Sequence, residues 1–123
     1  MTASDFGQTP KTSAPAIRSA SDQAFLAKIH QGSPELASVS DATLIAVGTT
    51  FCARLREGIP ARLEMENEVR KISSMWMNGE ISTDQETKLT LGIADIEASA
   101  SINYCSEQYL SVMRAFAQMA SGN

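Results

Sequence analysis

Apolar residues recur along most of this chain at spacings of three and four, the period of a helix with one buried stripe. The first run follows Ser21 and Asp22, either of which can cap a helix reaching about Gln31, with Phe25, Leu26 and Ile29 as its apolar face. Gly32 and Pro34 stop it, and residues 33–39 read as a loop. Ser40 caps a second helix with Asp41 in its first turn, and Leu44, Ile45, Gly48, Phe51, Cys52 and Leu55 form its stripe until Gly58 closes it. Gly48 on the apolar face predicts a neighbouring helix at close range. Pro60 suits the first turn of a third helix, where Met65, Val69, Ile72 and Trp76 recur at 4, 3, 4. This stripe assigns Glu64, Glu66, Glu68, Arg70 and Lys71 to the outer side, and Gly79 ends the helix.

Ser82-Thr83-Asp84-Gln85-Glu86 contains two overlapping capping boxes, Ser82 with Gln85 and Thr83 with Glu86. The helical pattern that follows is long, from about Thr83 to Met119. Leu89, Ile93, Ile96 and Ala100 mark its first part; Ile102, Cys105, Tyr109, Val112, Phe116 and Met119 mark its second. The stripe changes face near Ala98 to Ser101, where small residues favour a bend or a second packing partner. No strand-like alternation persists and no internal repeat occurs. The predicted fold is all-α, a small bundle of four main helical segments. Leu44, Phe51, Leu55, Val69, Ile72, Trp76, Ile93 and Ile96 are its expected core. From Met1 to Ser21 the chain is rich in Ser, Thr, Ala and Pro and has no period, so residues 1–21 read as a flexible or extended lead. Residues 22–119 read as one helical domain, with 106–119 as a C-terminal extension.

At 123 residues and 13.2 kDa, with 43% hydrophobic residues, the chain is long enough for one domain with a core. A net charge of −4 argues against binding nucleic acid. No stretch approaches about 18 uninterrupted apolar residues, so no transmembrane segment is expected. One His and two Cys exclude a multi-cysteine zinc site, and no cofactor is predicted. The first residues lack the apolar core of a signal peptide, so the protein is either cytoplasmic or has lost a leader.

Cys52 and Cys105 each fall on the apolar stripe of their own helix. Two buried free thiols in a cytoplasmic core are one reading, since Cys is often buried. The other is a disulfide between the second helix and the last, which would mean an oxidising compartment; the small size of the domain favours it.

The residues around these cysteines carry a resemblance. Asp22-Gln23-Ala24-Phe25-Leu26 opens the first helix and Ser40-Asp41-Ala42-Thr43-Leu44-Ile45 the second. Phe51-Cys52-Ala53-Arg54-Leu55-Arg56-Glu57-Gly58 ends the second in a Cys-x-x-Leu-x-x-Gly pattern. Ser82-Thr83-Asp84-Gln85 and Ala100-Ser101-Ile102-Asn103-Tyr104-Cys105 follow. In this order, over roughly Asp22 to Cys105, the chain resembles the actinobacterial "domain of unknown function 732" family of small exported helical proteins. The resemblance implies a helical fold, a disulfide between Cys52 and Cys105, an upstream leader or lipid anchor, and no known catalytic residues. Family members usually carry Pro directly after the second Cys. Ser106 stands there in this chain, which predicts helix running unbroken through Cys105 to near Phe116.

The search for chemistry is otherwise negative. His30 reads as a surface cation at a helix C-terminus rather than a haem or metal ligand. Asp95 is placed nearer the apolar side than Glu97, and the Glu64-Met65-Glu66-Asn67-Glu68 run reads as a solvated helix face. No Gly-x-Gly or Gly-Lys-Ser/Thr phosphate loop occurs. Met75-Trp76-Met77 cannot all face one core, so one Met is placed at its edge; core packing and an adaptable partner surface both fit. Tyr109, Met113 and Phe116 continue at helical spacing and are candidate contacts for a partner or a second copy. The expected function is an exported, non-enzymatic interaction module of the cell envelope, with an unidentified protein or itself, as a homodimer, for partner. A carrier of haem or lipid, or a phage-encoded structural or accessory protein, is the alternative.

Overall fold

The structure, a computed structural model, describes residues 18–122. The first helix, α1, spans Ala20–Gly32 and is capped by Ser19, whose hydroxyl accepts the Asp22 N–H at 3.0 Å. Neither Ser21 nor Asp22 is the cap: with Ser19 in that role, Asp22 stands as the acid in the first turn, where the helix dipole favours it. Helix therefore begins inside the segment assigned to the lead, and the part of that assignment falling on residues 1–17 lies outside the described residues. The loop expected after Gly32 contains a 3-10 turn, Pro34–Ser38, that buries Leu36 completely. Ser40 caps α2 (Asp41–Arg56) as expected, accepting the Thr43 N–H. Pro60 precedes α3 (Ala61–Met77). Ser82 and Gln85 cap α4 (Thr83–Asn103) reciprocally, so the first of the two possible capping boxes is the one used. Gly58 and Gly79 follow α2 and α3 at φ +98° and +76°, a backbone region that favours Gly.

The long last helix is where expectation and structure part. Helix stops at Asn103, Tyr104 and Cys105 turn, residues 106–108 form a 3-10 turn, and α5 (Tyr109–Ala120) begins anew. The break thus falls after the small-residue stretch, and the absence of Pro at 106 does not prevent it. Helical geometry supplies the reason. At about 100° per residue, Cys105 in an unbroken helix would point about 180° away from Ile96, which is wholly buried. Cys105 instead adopts φ −145°, ψ 63° and turns inward. It forms a disulfide with Cys52, with Cα atoms 5.7 Å apart. Arg56, at the end of α2, braces the same joint. Its guanidinium donates to Glu107 at 2.6 and 3.1 Å and to the Tyr104 carbonyl at 2.9 Å.

α4 is the central element and packs against α1, α2, α3 and α5. Close approach is written into two glycines. A Cβ on Gly48 would lie 2.6 Å from Phe25 Cζ, and one on Gly92 would lie 2.5 Å from Leu36 Cδ1. The core includes Phe25, Ile29, Leu36, Leu44, Phe51, Leu55, Met65, Ile72, Ile93 and Ile96. α5 adds Val112 and Ala115 to it and rests on α3 and α4, so the extension packs on its own domain.

Two expected core residues are not in it: Val69 is 40% exposed and Trp76 41%. The buried face of α3 is Ala61, Glu64, Met65, Glu68 and Ile72, rotated by about 50° from the purely apolar stripe. Replacing Phe51 by Ala should destabilise the fold by about 3–5 kcal/mol, read from denaturant unfolding, because its ring is wholly enclosed. Reducing the disulfide, which closes 53 residues, should cost about 4 kcal/mol by chain-entropy reasoning, seen as a lower unfolding midpoint in reductant.

Candidate functional site

Two features stand out once the helices are placed. The first is an apolar groove of about 440 Å³ between the start of α2, the end of α3 and the start of α4. Val39, Val47, Met75, Ile81 and Leu89 line it, and Lys71 is its one charged residue among the described residues. Of the predicted partner residues, Met75 lines this groove. Trp76 is half exposed in the same helical turn and donates its indole N–H to Thr83 Oγ1 at 3.0 Å, bridging α3 to α4. Met77 is 73% exposed. The other predicted set is elsewhere. Met113 and Phe116 pack partly against the core, and Tyr109 is partly exposed at the start of α5. The facing residues of α5, Ser111, Arg114, Ala115 and Gln118, meet the first turn of α3 at Ala61 and Arg62. Met75 is about 20 Å further along α3 at 1.5 Å per residue, so the two sets do not form one surface.

The second feature was not legible as a site. Glu64 and Glu68, assigned to a solvated face, are 2% and 5% exposed, and Glu97 on α4 is 2% exposed. Asp95 has the boundary position and accepts a hydrogen bond from the buried Ser33 hydroxyl, so the order expected for the two acids is reversed. Glu64 is partnered: Arg54 Nε of α2 lies 3.6 Å from its Oε1, and Asn67 Nδ2 donates to the same oxygen at 3.2 Å. Glu68 lies one helical turn from Glu64 on the same buried face of α3. Burial, then Glu64, pushes Glu68 up to about 7. Burial, then the charges of Glu68 and Glu64, pushes Glu97 up to about 8. Glu97 Oε2 has no hydrogen-bond partner among the described residues. A cavity of about 470 Å³ opens beside Glu64 and Glu68, bordered by Thr50, Arg54, Asn67 and Lys71. One signal in the sequence pointed this way. Glu64 and Glu68 are like charges four apart, an arrangement unfavourable on a solvated helix, flanking the apolar Met65.

His30 is at the end of α1, its Nε2 3.3 Å from Asp41 Oδ1, with both side chains partly exposed. Tyr104, at the end of α4, is tied to α1. Its hydroxyl donates to Asp22, its ring packs on Phe25 at 4.8 Å, and burial with Asp22 raises its pKa. Among the described residues no group of three or more His, Cys, Asp or Glu could hold a metal ion, and no helix is long and apolar enough to cross a membrane.

Fold and site together describe a small all-α domain, closed by one disulfide, with an apolar groove and a buried carboxylate interface. The chain belongs to the family described as "Protein of unknown function (DUF732)", which matches residues 21–96. The match covers α1 to α3 and most of α4 with Cys52, and ends before Cys105. No curated protein and no solved structure matches the chain.

Arg54 is the cation nearest Glu64. Arg54→Met should destabilise the protein by about 1–3 kcal/mol at neutral pH by leaving a buried carboxylate short of a partner, the partial exposure of Arg54 keeping the loss below that of a fully buried pair. Chemical denaturation of the two proteins side by side measures it.

Proposed function

We propose that this chain is an exported, non-catalytic interaction domain of the cell envelope, and that it takes part of a protein partner into the groove between α2, α3 and α4. The observation that carries this reading is the apolar groove itself, with Met75 in its wall and Trp76 and Met77 exposed in the adjoining turn. Met and Trp suit a contact surface because they offer large apolar area, and Met adapts its shape to what it meets. Lys71 sets the chemistry of the occupant: aliphatic side chains flanking a carboxylate, which a lysine at the groove would pair. The Cys52–Cys105 disulfide supports export, since such bonds persist in oxidising compartments. The resemblance to a family of small exported proteins points the same way.

A photo-crosslinking residue in place of the exposed Met77 tests the reading. With the protein in its native envelope fraction, a defined protein adduct should form, and Met75→Asp should abolish it while the helical circular dichroism is kept. Adducts with lipid alone would make the domain a lipid carrier instead. A protein adduct indifferent to Met75→Asp would overturn the groove, and two freely alkylated thiols in the native protein would overturn export.

A further inference from the structure

We propose that Glu64, Glu68 and Glu97 form a proton-operated latch that holds α3 against α4 in mildly acidic surroundings and loosens that contact as the pH rises. The geometry carries this independently of the groove. Three buried carboxyls stand on two helices that pack against each other, two on successive turns of α3 and one on α4. Among the described residues only Arg54, from α2, makes an ion pair there, and it pairs with Glu64. Among the described residues, the charges that shift Glu68 are Glu64, Lys71 and Arg54, and those that shift Glu97 are Glu68 and Glu64, both of its own sign. Its Oε2 is enclosed with no partner. An ionised carboxylate in such a place lacks both water and a counter-charge, whereas the protonated acid needs neither. Below the transition, a proton on Glu68 and one on Glu97 remove the charge of both, and Arg54 pairs with Glu64. Above it, the three carboxylates repel across the α3–α4 contact, and the adjoining cavity offers a path for water.

A carboxyl whose folded-state pKa is raised stabilises the fold below its unfolded value and loses that contribution as the pH climbs through the folded value. For these two groups the window opens near the ordinary 4.5 and closes at about 7 for Glu68 and about 8 for Glu97. This runs opposite to most carboxylates, which gain partners on folding and stabilise as pH rises. Glu107 is of that ordinary kind, its pKa lowered by Arg56.

The test uses the intact, oxidised chain. Its folding equilibrium constant should fall at least about tenfold between roughly pH 5 and pH 9, and amides of α3 should exchange through an opening that becomes more populated over that range. Glu97→Gln, which mimics the protonated acid, should flatten most of the decline, and Glu68→Gln should flatten a smaller part. Carboxyl carbon NMR of the unmutated protein gives a readout that needs no variant: the resonances of Glu68 and Glu97 should titrate well above the ordinary glutamate range. Stability that is flat or rising over this interval would overturn the latch. So would a Glu97→Gln profile superimposable on the parent's, or titration of both carboxyls below about pH 5.

Discussion

Cys105 has to reach Cys52, and a helix continuing from Ile96 would carry it to the opposite face of α4. That constraint organises the rest. α4 can serve as the central helix, buried against four neighbours, because it ends at Asn103 and releases the chain to turn. The turn sets Cys105 inward, brings the Tyr104 carbonyl and Glu107 to Arg56, and starts α5 on a course that places Val112 and Ala115 over α3 and α4. The Arg56–Glu107 pair is half exposed and adds little energy by itself, but it marks the joint that the disulfide secures.

Around α4 the domain is built in two chemically different ways. Its contacts with α1 and with the 3-10 turn combine tight apolar packing, with Gly92 making room for Leu36, and hydrogen bonds from Ser99 to the Phe25 carbonyl and from Ser33 to Asp95. Its contact with α3 combines Met65 and Ile72 with three glutamates. A buried like-charge interface is a poor choice for stability alone, since apolar residues of similar volume would hold the helices at least as well. In the proposed latch, it makes the strength of the α3–α4 contact depend on pH. The groove proposed for a partner adjoins the same helix, and Lys71 borders both it and the acidic cavity.

Membership of a family whose role is undescribed leaves function to be argued from the surface and the core of this chain. The disulfide and the groove favour a domain that holds a partner outside the cytoplasm. Among the described residues no group of three or more His, Cys, Asp or Glu could hold a metal ion.

Periodicity and caps determined much of this protein without help from tertiary contacts. Ser40, Pro60, Ser82 with Gln85, and the stops at Gly58 and Gly79 set the limits of α2 and α3 and the start of α4, because caps and φ > 0 turns act within a few residues. Gly48 announced a close neighbour, and the position of both cysteines on apolar stripes anticipated their bridge. Other features depend on which way a helix is rotated and on what lies across from it, which no local pattern contains. The α3 stripe of Met65, Val69, Ile72 and Trp76 named the helix correctly but missed its buried face by about 50°. Packing α3 on α4 and α2 at that rotation buried Glu64 and Glu68, exposed Val69 and Trp76, and gave Glu97 the place expected for Asp95. The break after Asn103 has the same origin. Ser106 permits helix, and only the demand that Cys105 and Val112 face the same core as Ile96 forbids it.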